Sequence, residues 1–464
     1  MTKKLSRRSF IKLAGLAAAG ASLAACTSTP SSTDAPTTAA DAAVEPTATA
    51  AEAAATSAGA ATEPVPTTAP AASETTLSFI WYESRFVDTM KGYISKFEEA
   101  NPGTKVDLQI IPSDAYLQKL TVQISSGTAP DVFFLVSGQV QNYGAMDACL
   151  DLNQYVSKDE VANYREGQIT LSTYKDKLVT LPFTATVLTL FINQELFEKS
   201  GIQYPTTAAD ALSRDDFFAA VKKLKDDNKL VEGMFNGSRD FWWLPWFYGN
   251  GASLLNDTLD APTFNSPEAQ EVFDLLAQAT KDKLIGTPPT STATTQEVTQ
   301  LFGQGRQAVY SGGHWDIGSI ETAVNGQFKF TAMTFPKQKT GSLALGGDYL
   351  AAYAGTKQAD MATKFIKYLT SKEITADYSS QHYYLTPRTD ATPTYTKYAD
   401  VMQLVQDQAA SMSSPKLTLH RGLPKYADIN TVFGAEYQLV MLGQEDSKTA
   451  LANIDSKVKD ILAK

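Results

Sequence analysis

The sequence predicts an α/β protein of more than one domain, and three observations carry this. The chain has 464 residues, more than one hydrophobic core usually serves. Between Leu77 and Val136 the apolar pattern alternates strand, helix, strand, helix, strand, which implies parallel pairing with right-handed crossovers. From Arg306 to Tyr310 a short strand containing Ala308 and Val309 runs to Ser311, Gly312 and Gly313, which are expected to end it. Trp315 follows at once, beside Asp316, where the strand's C-terminal end opens. Ligands of open α/β sheets bind in the crevice at that end, and a flat ring there suits the apolar face of a sugar.

Composition removes several function classes. The formal net charge is −10 with no block of like charges, which argues against a nucleic-acid partner, since phosphate binding needs clustered Lys and Arg. The two cysteines, Cys26 and Cys149, offer neither a disulfide framework nor a metal cluster, and Cys149 reads as a buried thiol. His314, His382 and His420 share no short ligand spacing, so no metal is expected. No GxSxG, HExxH, P-loop or CxxC pattern occurs. Gly303-x-Gly305-x-x-Ala308 imitates a dinucleotide fingerprint. It follows a helix and precedes a strand, the reverse of what pyrophosphate binding needs, and no cofactor is expected.

Residues 1–26 read as a targeting segment. Lys3, Lys4, Arg7 and Arg8 form a positive front, and Ile11 to Ala25 is an apolar run too short to span a membrane comfortably. Ser6-Arg7-Arg8-Ser9-Phe10-Ile11-Lys12 resembles the twin-arginine export signal, and Leu23-Ala24-Ala25-Cys26 resembles a bacterial lipobox. Those resemblances imply cleavage before Cys26, a lipid on that cysteine, and a body held at the outer face of the cytoplasmic membrane. Residues 27–76 are mostly Ala, Thr, Ser, Pro and Glu, without an aromatic residue, Lys or Arg. Such a stretch buries too little to offset its ordering entropy and is expected to be a disordered tether.

Along the body, Leu77–Tyr82 reads as a strand with Glu83, Ser84 and Arg85 as its exit loop. A helix is expected from about Arg85 to Ala100, carrying Phe86, Met90, Ile94 and Phe97 on one face. Val106, Leu108 and Ile110 alternate as a second strand, and the nearly continuous apolar run from Asp131 to Val136 fits a strand buried on both faces. Lys177–Phe183 and Leu188–Ile192 read as strands around Pro182. Ser213 and Ser266 read as helix N-caps, the latter with Pro267 in the first turn. Phe241 to Gly251 is the most aromatic patch, and its three tryptophans cannot all face one way on a helix. Phe328–Phe335 reads as a strand, and the chain from Thr394 to Lys464 as helical.

The opening strand LSFIWY, the helix carrying FEEANPGTKV, the segment SSGTAPDVFFL and the stretch FINQELFEKSGI together resemble the extracellular solute-binding proteins of ABC importers, family 1, the maltose-binding-protein-like sugar group. The resemblance covers about residues 76–464. It implies a two-lobed, type II periplasmic-binding-protein-like fold, with two three-layer α/β domains joined by a multi-crossover hinge. Lobe 1 would comprise 77–184 and 328–387, and lobe 2 would comprise 187–326 and 390–464. Thr184–Val187 would form the first crossing. The strand Phe328–Phe335 would return to lobe 1, with Gly326 freeing the backbone for it.

The resemblance also places site residues. Trp81, Tyr82 and Glu83 stand at the first strand exit, Ser137 and Gln139 after the third strand, and Thr184 at the hinge. Trp242, Trp243 and Asn250 lie in the aromatic helix and at its end. Asp348 and Tyr349 follow the glycine pair Gly346-Gly347. Tyr384 and Arg388 lie in a segment loosely similar to a G-x-L-P-x-R pattern, with tyrosines where a small residue is usual. Arg421 belongs to a part that approaches the ligand in relatives. With Trp315 these are the candidate ligand-binding residues.

Three function classes follow: a non-catalytic binding module, a lipid-anchored hydrolase acting on glycans with paired carboxylates, and a structural surface protein. The resemblance favours the first. It implies a monomer that captures a mono- or oligosaccharide or polyol between its lobes and delivers it to the transmembrane subunits of an ABC permease.

Overall fold

Two sheets organise the chain. The first is built from β1 (Thr75–Trp81), β2 (Thr104–Ile110), β3 (Val132–Val136) and β4 (Leu181–Pro182). The second holds β5 (Leu188–Asn193), β6 (Met234–Phe235), β7 (Val309–Gly313) and β8 (Phe330–Met333), after which β9 (Asp348–Ala352) returns to the first sheet. The spatial orders are β2-β1-β3-β9-β4 and β8-β5-β7-β6. The computed structural model describes residues 75–237, 239–286 and 295–464, all within one unit, Pro70–Lys464. The targeting segment, Cys26, the tether up to Glu74 and most of the Pro/Thr loop after Gly286 lie outside the described residues. Thr75 and Thr76, expected to close the tether, already pair with Thr104 and Lys105 as the start of β1.

The first sheet follows from its sequence pattern. β1 pairs parallel with β2 and with β3, as the alternation of strands and helices requires. β3 is central and buried along Val132–Leu135, which accounts for its continuous apolar run. β9 pairs antiparallel to β3 and β4, closing the far side. The helix Val87–Ala100 buries Met90, Tyr93, Ile94 and Phe97 on one stripe at helical spacing, and Asn101 ends it. In the second sheet β5 is buried throughout and runs antiparallel to both β8 and β7, while β6 joins β7 in parallel. Ser213 and Ser266 cap their helices, accepting from Asp216 N and Ala269 N, with Pro267 at the first turn of the second.

Each sheet serves its own core. One core gathers Leu77, Phe79, Trp81, Phe133, Leu350, Phe365 and Tyr378; the other gathers Leu190, Phe191, Trp243, Trp246, Val309, Phe335, Phe433 and Ile454. The chain passes from the first core to the second between Phe183 and Ala185, returns between Ala344 and Tyr349, and passes over again between Tyr384 and Leu385. These crossings are laced together. Ala185 N donates to Leu385 O at 2.8 Å, and Thr186 and Gly346 exchange two backbone hydrogen bonds at 3.0 and 2.8 Å.

Two expectations need correction. Phe328–Phe335 does not return to lobe 1: β8 pairs with β5 across Phe330–Asn193 to Met333–Leu190, and Ala332, Met333 and Phe335 lie in the second core. The return follows later, along the segment that ends in Gly346-Gly347. Gly326, at φ +73, serves instead with Asn325 as the left-handed end of the helix Ile317–Val324. β7 also runs later than Arg306–Tyr310: it spans Val309–Gly313, so Ser311, Gly312 and Gly313 are its closing residues rather than residues beyond it. They are part of it, paired with Leu190, Thr189 and Leu188, because glycine in a strand admits close neighbours.

Trp243 is 1% exposed and stacks on Phe433 and Tyr437, with centroids at 4.3 and 4.9 Å. Trp243→Ala should therefore cost about 3–5 kcal/mol of stability, read by urea unfolding.

Candidate functional site

The site forms where the second lobe's β7 ends against the first lobe's β1 exit. Trp315 lies in a one-turn 3-10 helix, His314–Asp316, directly after β7. Its ring lies over Gly313, where a Cβ would stand 2.1 Å from it, so only glycine fits there. Half-buried, it touches both cores, with Phe241 at 5.9 Å on one side and His314 at 5.4 Å on the other. Trp242, also half-buried, donates its indole N–H to Ser311 O at 3.0 Å, tying the aromatic helix Asp240–Gly249 to β7.

The β1 exit supplies charge. Glu83 is buried and grips Arg85, taking Nε at 2.9 Å, Nη2 at 2.6 Å and the backbone N–H at 3.0 Å. Arg85 then reaches the other lobe: its Nη1 stands 3.3 Å from Trp315 O, 3.3 Å from Ser319 Oγ and 3.6 Å from Asp316 Oδ1. Asp316 is 1% exposed, and its Oδ2 accepts from Tyr310 OH at 3.2 Å and Gly313 N at 3.3 Å. Burial pushes its pKa up to about 6 against the opposing pull of Arg85. Tyr82 is half-buried against the edges of Phe134 and Tyr116.

At the hinge, Asp348 is buried and its Oδ2 accepts from Thr184 Oγ1 at 2.7 Å. Burial first, opposed by the Thr184 bond and reinforced by the negative Glu83, pushes its pKa up to about 7. Tyr384 is 3% exposed, edge-on to His314 at 5.8 Å and to Phe86 at 6.3 Å. Tyr383 before it holds a left-handed φ of +58, the conformation a small residue adopts at lower cost. On a further side of the lobe contact, Ser137 N donates to Gly347 O at 3.1 Å at the start of the helix Ser137–Ala145, and half-buried Gln139 follows. Gly138 there meets Arg421, which donates Nε to Asp240 at 2.7 Å and lies 4.7 Å over the Phe241 ring. Burial alone would raise Asp240; Arg421 and Tyr426 outweigh it and hold its carboxyl below the usual range.

Thus Tyr82, Glu83, Trp242, Trp315, Asp348, Thr184, Tyr384, Ser137, Gln139 and Arg421 come together about the lobe contact. Five expected site residues do not. Trp81 is 1% exposed in the first core, packed on Tyr378 at 6.5 Å, because β1 points it inward. Trp243 is core, as described above. Asn250 is tied to Arg214, Glu268 and Glu271 behind the aromatic helix. Tyr349 is fully buried and donates to Gln168 Oε1 at 2.6 Å. Arg388 pairs with Asp390 at 2.7 Å and lies 4.6 Å over Tyr164. Arg85 and Asp240 were not among the expected site residues. The charged pair Glu83 and Arg85 at a strand's C-terminal exit was the available signal for Arg85; nothing local marked Asp240. Among the described residues no group of three or more His, Cys, Asp or Glu could hold a metal ion. Burial lowers His314 and His420 to about 4, leaving both neutral at physiological pH.

Two lobes of α/β architecture meeting along an aromatic, hydrogen-bonded contact suit a protein that binds a solute between them. The model of the bacterial extracellular solute-binding proteins matches residues 92–403, and the chain belongs to that family, one of binding proteins. It is similar to the diacetylchitobiose-binding protein of Streptomyces coelicolor, 24% identical over 60% of this chain and 65% of that one. It is also similar to a maltooligosaccharide ABC transporter solute-binding lipoprotein of Streptococcus pneumoniae, 21% identical over 82% of this chain and 86% of that one. The GacH receptor of Streptomyces glaucescens, solved unliganded and with acarbose, shares the fold with a TM-score of 0.72 at 18% identity, over 84% of this chain and 99% of its own.

Because the folded pKa of Asp348, about 7, exceeds its ordinary 3.8, the native state holds the proton more tightly than the unfolded chain between those values. Its contribution is therefore greatest in acid and falls as pH rises from about 4 to about 7. Relative to Asp348→Asn, which keeps an acceptor for Thr184, the wild type should lose on the order of 2–4 kcal/mol across that window. Urea unfolding of both proteins at about pH 4 and about pH 8 reads this directly.

Proposed function

We propose that the protein is the substrate-binding component of an ABC importer for a neutral carbohydrate or related polyol, held to the membrane by a lipid on Cys26. The observation that carries the reading is Trp315: a flat ring at the end of β7, touching both cores, with a charged residue of the opposite lobe at its own carbonyl. A sugar needs an apolar surface for its C–H face and polar groups for its hydroxyls, and each unpaired buried hydroxyl costs about 1–3 kcal/mol. Trp315, Tyr82 and Trp242 supply the first; Glu83, Arg85, Asp316 and Asp348 supply the second. Names of relatives that mention diacetylchitobiose, maltotriose and maltooligosaccharide agree with that chemistry, and none of the relatives named above is a hydrolase. The protein acts as a monomer without catalysis: the laced hinge lets the lobes close on the solute, and the closed surface is what the permease subunits recognise.

A thermal-shift panel of maltotriose, N,N′-diacetylchitobiose and D-tagatose tests the ligand class, a rise in melting temperature being expected for at least one. Stacking on Trp315 would bury ~100 Å² of apolar surface, about 2.5 kcal/mol, with roughly 0.5–1.5 kcal/mol more from ring geometry. Trp315→Ala should thus weaken that sugar about 100-fold or more by calorimetry, and an unchanged dissociation constant removes Trp315 from the site. Cys26→Ser should move the protein from the membrane fraction to the soluble one, scored by fractionation and immunoblot.

A further inference from the structure

Arg85 is anchored in the first lobe and spends its remaining nitrogen on the second. Glu83 caps the short 3-10 helix Ser84–Phe86 and holds the guanidinium through Nε and Nη2. The Phe86 ring lies 5.0 Å from the guanidinium carbon and is itself stacked on His382, with centroids 3.9 Å apart. Gripped at an edge and at a face, the planar fork has little freedom to turn, and Nη1 points out of the lobe. That nitrogen carries two hydrogens. Two acceptors of the second lobe face it, Trp315 O and Ser319 Oγ, each at 3.3 Å. They lie four residues apart, about one turn, where the 3-10 turn His314–Asp316 runs into the helix Ile317–Val324. Elsewhere the lobes meet by shape: a Cβ on Gly138 would stand 3.5 Å from Arg421 O, and one on Gly422 would stand 3.2 Å from Leu171.

We propose that Arg85 is a latch that holds the two lobes together before any solute arrives. Opening the cleft draws Nη1 away from Trp315 O and Ser319 Oγ, whereas the grip of Glu83 lies within the first lobe and survives the motion. Glu83 thus sets the direction of the latch, and the two bonds to the second lobe do the holding. Both bonds are long for N–H···O, and the Arg85 side chain keeps 29% exposure, so water can take their place when the lobes part. The latch therefore biases the equilibrium without locking it. With the closed form favoured, the form open to entry is a minority, and the apparent affinity for any solute is reduced by that fraction. The inference concerns the protein without solute and stands whatever the cleft binds.

Pulsed electron spin resonance on the full chain without solute tests the latch. Spin labels go on Lys96→Cys of the first lobe and Lys448→Cys of the second, both exposed, in a Cys26→Ser background; Cys149 is buried. The wild-type latch should give a distance distribution dominated by the closed form. Arg85→Met should move the closed-to-open ratio about tenfold or more toward open, and Ser319→Ala, which removes one acceptor, about threefold. Acrylamide quenching of tryptophan fluorescence should rise in the same order, because Trp242 and Trp315 are half-buried at the lobe contact, whereas Trp81, Trp243 and Trp246 are at most 1% exposed. An unchanged distance distribution in Arg85→Met, with the melting temperature kept, overturns the latch. If that variant melts early, an unchanged distribution in Ser319→Ala overturns it instead. A wild-type distribution dominated by the open form overturns it outright.

Discussion

Everything in the cleft depends on how closely three passages of backbone run beside one another. Thr184–Thr186, Gly346-Gly347 and Leu385 are joined by backbone hydrogen bonds. A Cβ on Gly347 would stand 2.4 Å from Thr184 O, and one on Gly346 would stand 2.6 Å from Thr186 Oγ1. Glycine is required there for proximity, not for an unusual dihedral. Three short passages can bend together while each core stays rigid, since a packed interior resists deformation far more than an extended segment does.

That lacing places the charges. Asp348 begins β9 straight after the glycine pair, and Thr184 ends the first crossing, so their side chains meet beside the hinge. Burial penalises every carboxylate gathered near it, and each is handled differently. Glu83 is neutralised by Arg85, Asp240 by Arg421 and Tyr426, and Asp348 is relieved by Thr184 and by holding a proton more tightly. Of these four carboxylates, only Asp316 keeps a fully buried oxygen with no hydrogen bond. A buried ion pair contributes little net stability, so these pairs are better understood as fixing geometry than as holding the lobes shut.

Much of this was legible beforehand, for definable reasons. β1 to β3 and the helices between them follow local periodicity, and their parallel pairing follows from the crossover length. Trp315 stood out because glycines and a strand end surround it, which is a local signal. The aromatic helix shows the limit. Phe241, Trp242, Trp243 and Trp246 are equally apolar, and a helix buried on nearly all sides has no polar stripe to orient it. Only the partners decide: Ser311 O takes the Trp242 indole, whereas Phe433 and Tyr437 stack on Trp243.

By itself, then, the sequence determined the α/β class, the strand order up to Val136, the capped helices and the glycine-lined approach to Trp315, because each rests on residues near one another in the chain. Tertiary structure decided which lobe owns β8, that Arg388 and Asn250 serve other partners, and that Arg85 reaches from β1 to Asp316. The first and last rest on contacts between residues more than a hundred positions apart, Asn193 with Phe330 and Arg85 with Asp316, while Asn250 answers to side chains of neighbouring helices and Arg388 to nearby Asp390 and distant Tyr164. A pattern of neighbours carries no information about them until the backbone crossings bring the lobes together.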